Sequence, residues 1–241
     1  MTVRIVTDSS CDLDAAECER LGVEVVPLSI RFGDDEFEDR SELSVEGFYG
    51  LMAERDELPE TAAPSPGKFE AAFRKQKEAG ADAVVCINLS SELSATMAAA
   101  EQAQRIIGDD FPVHVVDSKS ITAGLGTQVL LAAEAAQGGA SAEDVVALVE
   151  DLRTRTRVVG CLDTLENLKK GGRIGGAQAM RDMIGDPDQI EHLAIMHGMA
   201  PDIDVMTDLV SGIDHRLGHI GAVIGTHGGP RVIGACWLEK R

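Results

Sequence analysis

The sequence from Asp82 to Thr96 reads DAVVCINLSSELSAT. Its first six residues form a short apolar run typical of a strand, and residues 97–107 have the composition and spacing of a helix. A loop rich in hydroxyl groups is therefore predicted between the carboxyl end of a strand and the amino end of a helix. Ser94 is placed to cap that helix, whose free N–H groups would attract a carboxylate or a phosphate. The alternative interpretation is that Ser94 only caps the helix.

Strands and helices alternate through the first 150 residues. Further short apolar strands are predicted at residues 3–7, 23–30 and 112–116, and residues 32–40 are acidic and resemble a turn. This order predicts an α/β fold with a mainly parallel, Rossmann-like sheet, and such sheets hold ligands at the carboxyl ends of their strands. Asp8, Ser9 and Ser10 follow the first strand, where they either serve the turn or lie near a ligand.

The middle of the chain predicts a buried helix and a domain boundary. Residues 121–136 are nearly all small or apolar, which is typical of a helix buried on several sides. We interpret Gly124 and Gly126 in this helix as sites of close packing rather than of phosphate binding. The basic residues 153–157 are interpreted as a linker. We therefore expect an N-terminal domain over residues 1–153 and a C-terminal domain over residues 154–241.

Two polar residues stand out in loops predicted from the sequence. Prolines hold the chain extended around Thr61, which is expected to project from a stiff loop. In the C-terminal domain, strands are predicted at residues 158–162 and 192–197, and residues 219–237 predict two apolar strands joined by a turn. His227 lies at this turn beside glycines, which would let a ligand approach its ring closely. A lone threonine or histidine in a loop more often has a purely structural role.

The charge and composition limit the possible partners. Asp and Glu number 41 and Lys and Arg 22, which gives a formal net charge of -19. This field opposes binding to a nucleic-acid backbone or an anionic membrane, and no apolar run approaches the roughly 18 residues of a membrane helix. Five cysteines without a Cys-x-x-Cys pair indicate buried thiols in a reducing compartment. Because a strand follows Met1 almost directly, no signal peptide is predicted, and we expect a soluble, cytoplasmic protein.

Six short motifs are spread over nearly the whole chain. They are TDSS (7–10), TAAPSP (61–66), LSAT (93–96), DSKS (117–120, with Gly124 and Gly126), LKKGGRI (168–174) and GTHGGP (225–230, with Gly234). Together and in this order they resemble the DegV family of bacterial fatty-acid-binding proteins. The resemblance implies two α/β domains, the first with a mainly parallel sheet and the second with a mixed sheet. It also implies a long-chain fatty acid in a tunnel between the domains.

The resemblance also implies roles for individual residues. Thr61 and Ser94 match the family's hydroxyl groups that bind the acyl carboxylate, and His227 matches the histidine that completes this hydrogen-bond network. Arg173 matches an arginine near the mouth of the site or the partner surface. The loop at Ser94 also offers backbone N–H donors, at Ala95 and Thr96.

The implied protein is a carrier rather than an enzyme, with no metal or cofactor. A separate ATP-dependent fatty acid kinase would convert the bound acid into an acyl phosphate for phospholipid metabolism. A different hypothesis follows from the related dihydroxyacetone-kinase fold, in which a histidine holds the substrate covalently. On that hypothesis the protein is a kinase subunit that binds a small hydroxyketone through His227.

Three departures from the family pattern bear on these expectations. Ala62 and Ala63 replace polar residues beside Thr61, and Ala95 replaces a glycine. Between Ile174 and the strand at residues 192–197 the family has a much longer segment, which forms strands of its second domain. A third hypothesis is therefore a degenerate family member that binds no ligand tightly.

Overall fold

The computed structural model of the protein describes residues 1–162 and 177–241. The strands are β1 (Val3–Asp8), β2 (Glu24–Val26), β3 (Ser29–Phe32), β4 (Asp35–Glu38), β5 (Glu60–Ala62), β6 (Ala83–Asn88), β7 (Val113–Asp117), β8 (Thr156–Cys161), β9 (Ile190–His197), β10 (His215–His219) and β11 (Ile233–Glu239). The helices are α1 (Ala15–Leu21), α2 (Val45–Glu54), α3 (Pro66–Glu78), α4 (Thr96–Ile107), α5 (Thr122–Gln137), α6 (Ala142–Arg155), α7 (residues 177–184), α8 (Asp204–Leu209) and α9 (Ala222–Gly228). The strands form three sheets.

The parallel sheet has the strand order β2-β1-β6-β7. Every residue of β6 is buried, as expected for a central strand covered by helices on both faces. Leu125 and Val145, from α5 and α6, pack on one face, whereas Phe73 and Ala100, from α3 and α4, pack on the other. The predicted α/β fold with a mainly parallel sheet is therefore confirmed.

The mixed sheet has the strand order β10-β9-β11-β8. Strands β9 and β10 are parallel, and β11 is antiparallel to both of its neighbours. A mixed sheet in the C-terminal part of the chain is thus confirmed. The domain boundary at 153/154 remains a prediction, next to the point where the chain enters this sheet at Thr156.

The interpretation of residues 153–157 as a linker is wrong, because α6 continues through Arg155 and β8 begins at the next residue. Arg153 and Arg155 occupy the last turn of α6, where a cation interacts favourably with the helix dipole. Arg155 also pairs with Asp151 one turn earlier, at 3.0 Å. The basic run therefore stabilises a helix end.

The small sheet, with the antiparallel order β4-β3-β5, was not predicted. The single strand expected at residues 23–30 is two strands in different sheets, because Pro27 has no N–H group for a sheet ladder and separates β2 from β3. The acidic segment contains β4 in place of the expected turn. Thr61 lies in the strand β5, not in a loop, and pairs with Ile30 of β3.

The segment from residue 219 to 237 is also corrected by the structure. The two strands joined by a turn are in fact the helix α9 followed by β11. Ala222 and Val223 of α9 pack in one apolar cluster with Phe48 and Tyr49 of α2. His227 consequently lies in the last turn of a helix. The short apolar run did not distinguish a strand from a buried helix.

Helix α5 is buried along most of its length, as predicted. It contacts β1 of the parallel sheet and also β8, β9 and β11 of the mixed sheet. A Cβ atom on Gly126 would lie 2.4 Å from the Cys11 carbonyl oxygen, and one on Gly124 would lie 2.7 Å from Val158 Cγ2. The interpretation of these glycines as sites of close packing is confirmed.

The five cysteines are free thiols, and four of them are buried. Burial raises the pKa of the Cys86 thiol well above its usual value, and it raises the pKa of Cys236 to about 12. Over residues 1–162 and 177–241, no helix has the length and apolar character needed to span a membrane.

Candidate functional site

The structure brings Thr61 and His227 together across 166 positions of sequence. Thr61 Oγ1 lies 3.4 Å from His227 Nε2. Thr61 is half-buried and His227 is exposed, so both polar groups are within reach of a ligand. A hydroxyl group and an imidazole N–H group can each donate one hydrogen bond to the same anion. The two residues, each ambiguous on its own, therefore form one polar site.

The position of Thr61 follows from the short strand β5. Pro59 and Pro64 flank this strand, which confines it to three residues at the edge of the small sheet. Threonine is β-branched and favours the extended backbone of a strand. Because Thr61 pairs with Ile30, which is fully buried, the backbone that carries the hydroxyl group is attached to a packed core.

The position of His227 follows from close packing of α9 against α2. A Cβ atom on Gly225 would lie 2.6 Å from Tyr49 Oη and 2.7 Å from Phe48 Cε1. No other residue type has room there, because the contacting atoms belong to two buried rings. Gly225 thus allows α9 to approach α2 closely.

Ser94 lies in the loop between β6 and α4, at the carboxyl edge of the parallel sheet. Ala95 occupies the N-cap position of α4, but the Ser94 hydroxyl oxygen accepts the Thr96 N–H at 3.2 Å. Ser94 Oγ also lies 2.9 Å from Thr96 Oγ1. The first N–H groups of a helix have no partner inside the helix. In α4, the Thr96 N–H is already bonded to the Ser94 hydroxyl oxygen. The prediction that Ser94 is the N-cap is wrong, because α4 begins at Thr96 and its N-cap is Ala95, without a side-chain capping hydrogen bond. Ser94 stays half-buried.

Asp117, at the end of β7, fixes the loop that carries Ser94. Its carboxylate accepts the Ser91 hydroxyl at 2.5 Å and the backbone N–H of Lys119 at 2.9 Å. Burial acts to raise the pKa of Asp117, but the hydrogen bonds from Ser91 and Lys119 outweigh it and lower the pKa. Together with Ser94, Leu93 and neighbouring residues, Asp117 lines an open depression of about 610 Å³.

Asp8, Ser9 and Ser10 have structural roles. All three are fully buried. The Asp8 carboxylate accepts the Ser10 hydroxyl at 2.5 Å and the Leu89 N–H at 2.8 Å, and so joins the carboxyl ends of β1 and β6. Ser9 Oγ accepts the Leu28 N–H at 3.1 Å. Of the two interpretations of this turn, the structure favours the local one.

The structure brings two of the predicted site residues into contact and places the third in a separate loop. Thr61 and His227 are in contact, and Ser94 lies in a separate loop with its hydroxyl group on the helix end. Ala95 is exposed beside it. Arg173 lies outside the described residues, so its role remains a prediction.

Comparisons with known proteins agree with the resemblance. The family model described as "Uncharacterised protein, DegV family" matches residues 2–186. A DegV domain-containing protein of Streptomyces coelicolor is 33% identical over 274 aligned residues, which cover 96% of each chain. Because that alignment is longer than the 241 residues of this chain, the relative has residues that this chain lacks.

Two solved structures have the same fold over their whole length. A DegV family protein from Thermus thermophilus, described by its fatty acid binding, is 28% identical with a TM-score of 0.81, and each chain is covered completely. DegV from Bacillus subtilis, described as a fatty acid binding protein, is 25% identical with a TM-score of 0.86 and the same coverage. The chain is a member of the DegV family.

Proposed function

We propose that the protein binds a long-chain fatty acid in a tunnel between its two domains, residues 1–153 and 154–241. Thr61, Ser94 and His227 hold the carboxylate. The observation that carries this proposal is the 3.4 Å contact between Thr61 Oγ1 and His227 Nε2, which joins the small sheet to the helix α9. The family members described as fatty-acid-binding proteins support it.

The chemistry of a carboxylate explains why several donors are needed. Removing a carboxylate from water without hydrogen-bond donors costs several kcal/mol, and donors to an ionised group make shorter and stronger hydrogen bonds. Thr61 and Ser94 supply O–H groups and His227 supplies a ring N–H group. The Ala95 N–H, just before α4, and the amino end of that helix add backbone N–H groups and the positive end of a helix dipole.

In this proposal the protein is a carrier in the cytoplasm. It presents the carboxylate to a separate ATP-dependent fatty acid kinase, which forms the acyl phosphate used in phospholipid metabolism. The net charge of -19 favours a neutral or basic surface on that partner. His227 is exposed, so the head-group site can be reached from outside.

Mass spectrometry of lipids extracted from the purified protein tests the proposal, alongside its intact mass under denaturing conditions. A stoichiometric long-chain fatty acid with an unmodified chain mass is the expected result. A small covalent adduct on His227 would favour the hydroxyketone hypothesis. The His227 ring is exposed, so a small substrate can reach it. A protein that is empty and takes up no added fatty acid would favour a degenerate family member.

Single alanine variants test the head-group residues. Ser94→Ala and Thr61→Ala are each expected to weaken fatty acid binding about tenfold, because each removes one hydrogen bond to a charged group. Fluorescence competition with a labelled fatty acid measures the dissociation constant, and circular dichroism checks the fold. Thr154→Ala is the matched control, since the exposed Thr154 hydroxyl group donates only to Asp151 O within α6. Unchanged affinity in both site variants would disprove the head-group assignment.

A further inference from the structure

The start of α9 is held by Asp12, a residue far from it in sequence. The Gly221 N–H, which immediately precedes α9, donates to Asp12 Oδ1 at 3.0 Å. Thr122 Oγ1 donates to the other carboxylate oxygen at 2.6 Å, and Arg40 Nη2 donates to Oδ1 at 3.0 Å. The Asp12 side chain is 1% exposed. A buried carboxylate therefore links the loop after β1, the first turn of α5 and the start of α9.

Tyr49 of α2 holds the same end of α9 from another side. Its hydroxyl group donates to the Ile220 carbonyl oxygen at 3.0 Å, and this hydrogen bond is buried. The peptide unit between Ile220 and Gly221 is therefore bonded at both of its polar groups. Its carbonyl oxygen accepts from Tyr49, and its N–H donates to Asp12. Two independent hydrogen bonds orient the peptide that begins the helix.

There is no space for α9 to slide between these contacts. A Cβ atom on Gly221 would lie 2.5 Å from Asp12 Oδ1, and one on Gly225 would lie 2.6 Å from Tyr49 Oη. Real Cβ atoms do not approach other atoms so closely, so both positions require glycine. The helix is held against Asp12 at Gly221, the residue before it, and against Tyr49 at Gly225, one turn later.

His227 is six residues after Gly221, which is roughly 9 Å along a helix. Helix α9 has only seven residues, two of them glycine, and a helix of this length has little stability of its own. Thr61 lies on a different element, β5, that is attached to β3. The orientation of α9 therefore determines whether His227 reaches Thr61.

We propose that Asp12 and Tyr49 are positioning residues that hold α9 so that His227 lies against Thr61. The inference rests on the proposed function only for the statement that this contact binds a carboxylate. Neither side chain contacts Thr61 or His227 through a hydrogen bond in the part of the chain described, and each acts through the backbone at Ile220 and Gly221.

The test compares Asp12→Ala and Tyr49→Phe with two controls. The imidazole signals of His227 are recorded by ¹H–¹⁵N NMR in the ligand-free protein and assigned with His227→Gln. The dissociation constant for a labelled fatty acid is then measured. Asp12→Asn is the conservative control. Its amide oxygen still accepts the Gly221 N–H, and its NH2 group donates to the Thr122 hydroxyl oxygen, which reverses the wild-type hydrogen bond. Ser141→Ala, which removes the capping box of α6, is the control for a general loss of stability.

Asp12→Ala and Tyr49→Phe are expected to move the His227 signals and to weaken fatty acid binding about tenfold. Asp12→Asn retains most of the affinity, and Ser141→Ala leaves the signals and the affinity unchanged. Folded Asp12→Ala and Tyr49→Phe proteins with wild-type His227 signals would overturn the inference. If Asp12→Ala does not fold, Tyr49→Phe decides alone, because phenylalanine keeps the ring packing. If the wild-type protein binds no fatty acid, the proposed function fails, while the NMR signals still decide the positioning role.

Discussion

Gly126→Ala is expected to destabilise the folded protein by about 3 kcal/mol. The added Cβ atom would lie 2.4 Å from the Cys11 carbonyl oxygen and 3.1 Å from Leu13 Cδ2. The nearer atom belongs to the backbone of a buried turn, so it cannot move aside as the end of a flexible side chain could. Helix α5 would have to shift away from β1, and its contacts with the mixed sheet would be disturbed as well. Chemical denaturation followed by circular dichroism measures the change.

Gly50→Ala is the matched control for this substitution. Gly50 lies inside α2, and a Cβ atom there would meet no atom of residues 1–162 or 177–241 within 4 Å. Alanine is the better helix former, so this variant is expected to gain about 0.5 to 1 kcal/mol. The two glycine-to-alanine substitutions are therefore expected to change the free energy of unfolding in opposite directions. A Gly126→Ala protein as stable as the wild type would show that α5 does not pack as closely on the Cys11 turn as the structure indicates.

Asp39→Asn is expected to stabilise the protein at neutral and alkaline pH. Asp39 is 2% exposed, and among the described residues neither of its carboxylate oxygens has a hydrogen-bond partner. Burial raises the pKa of Asp39 from 3.8 to about 6, although the nearby Ser9 hydroxyl and Arg40 guanidinium lower it in part. The difference between these two pKa values corresponds to roughly 3 kcal/mol, by which ionisation of Asp39 destabilises the folded state.

The sign of the pH dependence follows from this shift. Because the folded protein binds the Asp39 proton more tightly than the unfolded chain, the wild-type protein loses stability as the pH rises from about 4 to about 6. The asparagine side chain of the variant carries no charge at any pH. The free energy of unfolding of Asp39→Asn should therefore exceed that of the wild type by up to about 3 kcal/mol near pH 8, with little difference near pH 4.

Denaturant unfolding of both proteins at several pH values between about 4 and 8 measures this difference. Asp34→Asn, which removes an exposed carboxylate in the turn between β3 and β4, controls for the change in net charge. Its effect should be small and nearly independent of pH, since an exposed charge remains hydrated in the folded state. A constant difference between wild type and Asp39→Asn across this range would contradict the unpaired, buried carboxylate.

The head-group residues illustrate how far sequence reasoning extends. Thr61, Ser94 and His227 are polar residues in predicted loops, and the resemblance to the family implies that they share one site. The setting was wrong for two of them, since Thr61 lies in a strand and His227 in a helix. Their 3.4 Å contact depends on the pairing of β5 with β3 and on the packing of α9 against α2. Neither interaction leaves a periodic signal in the local sequence.

Asp12 and Tyr49 show what the sequence did not reveal. Asp12 is one of two acidic residues between β1 and α1, and nothing in the neighbouring sequence distinguishes it. In the structure, Asp14 occupies the N-cap position of α1, and the Asp12 side chain is bonded to residues up to 209 positions away. Tyr49 gave no signal beyond the apolar face of α2. Long-range hydrogen bonds of this kind become visible only when the sheets are assembled.

The sequence by itself determined the alternation of strands and helices, the parallel sheet, the buried helix α5 and the family. The first three depend on local periodicity and on glycine and proline, which are properties of neighbouring residues. The family follows from the order of six short motifs along the chain. Only the tertiary structure decided that the segment around Pro27 belongs to two sheets and that α6 continues to Arg155. It also decided that the apolar segment after Ile220 is a helix and not a strand. In each case a short segment was compatible with two conformations. The apolar surface and hydrogen-bond partners supplied by distant elements selected one of them.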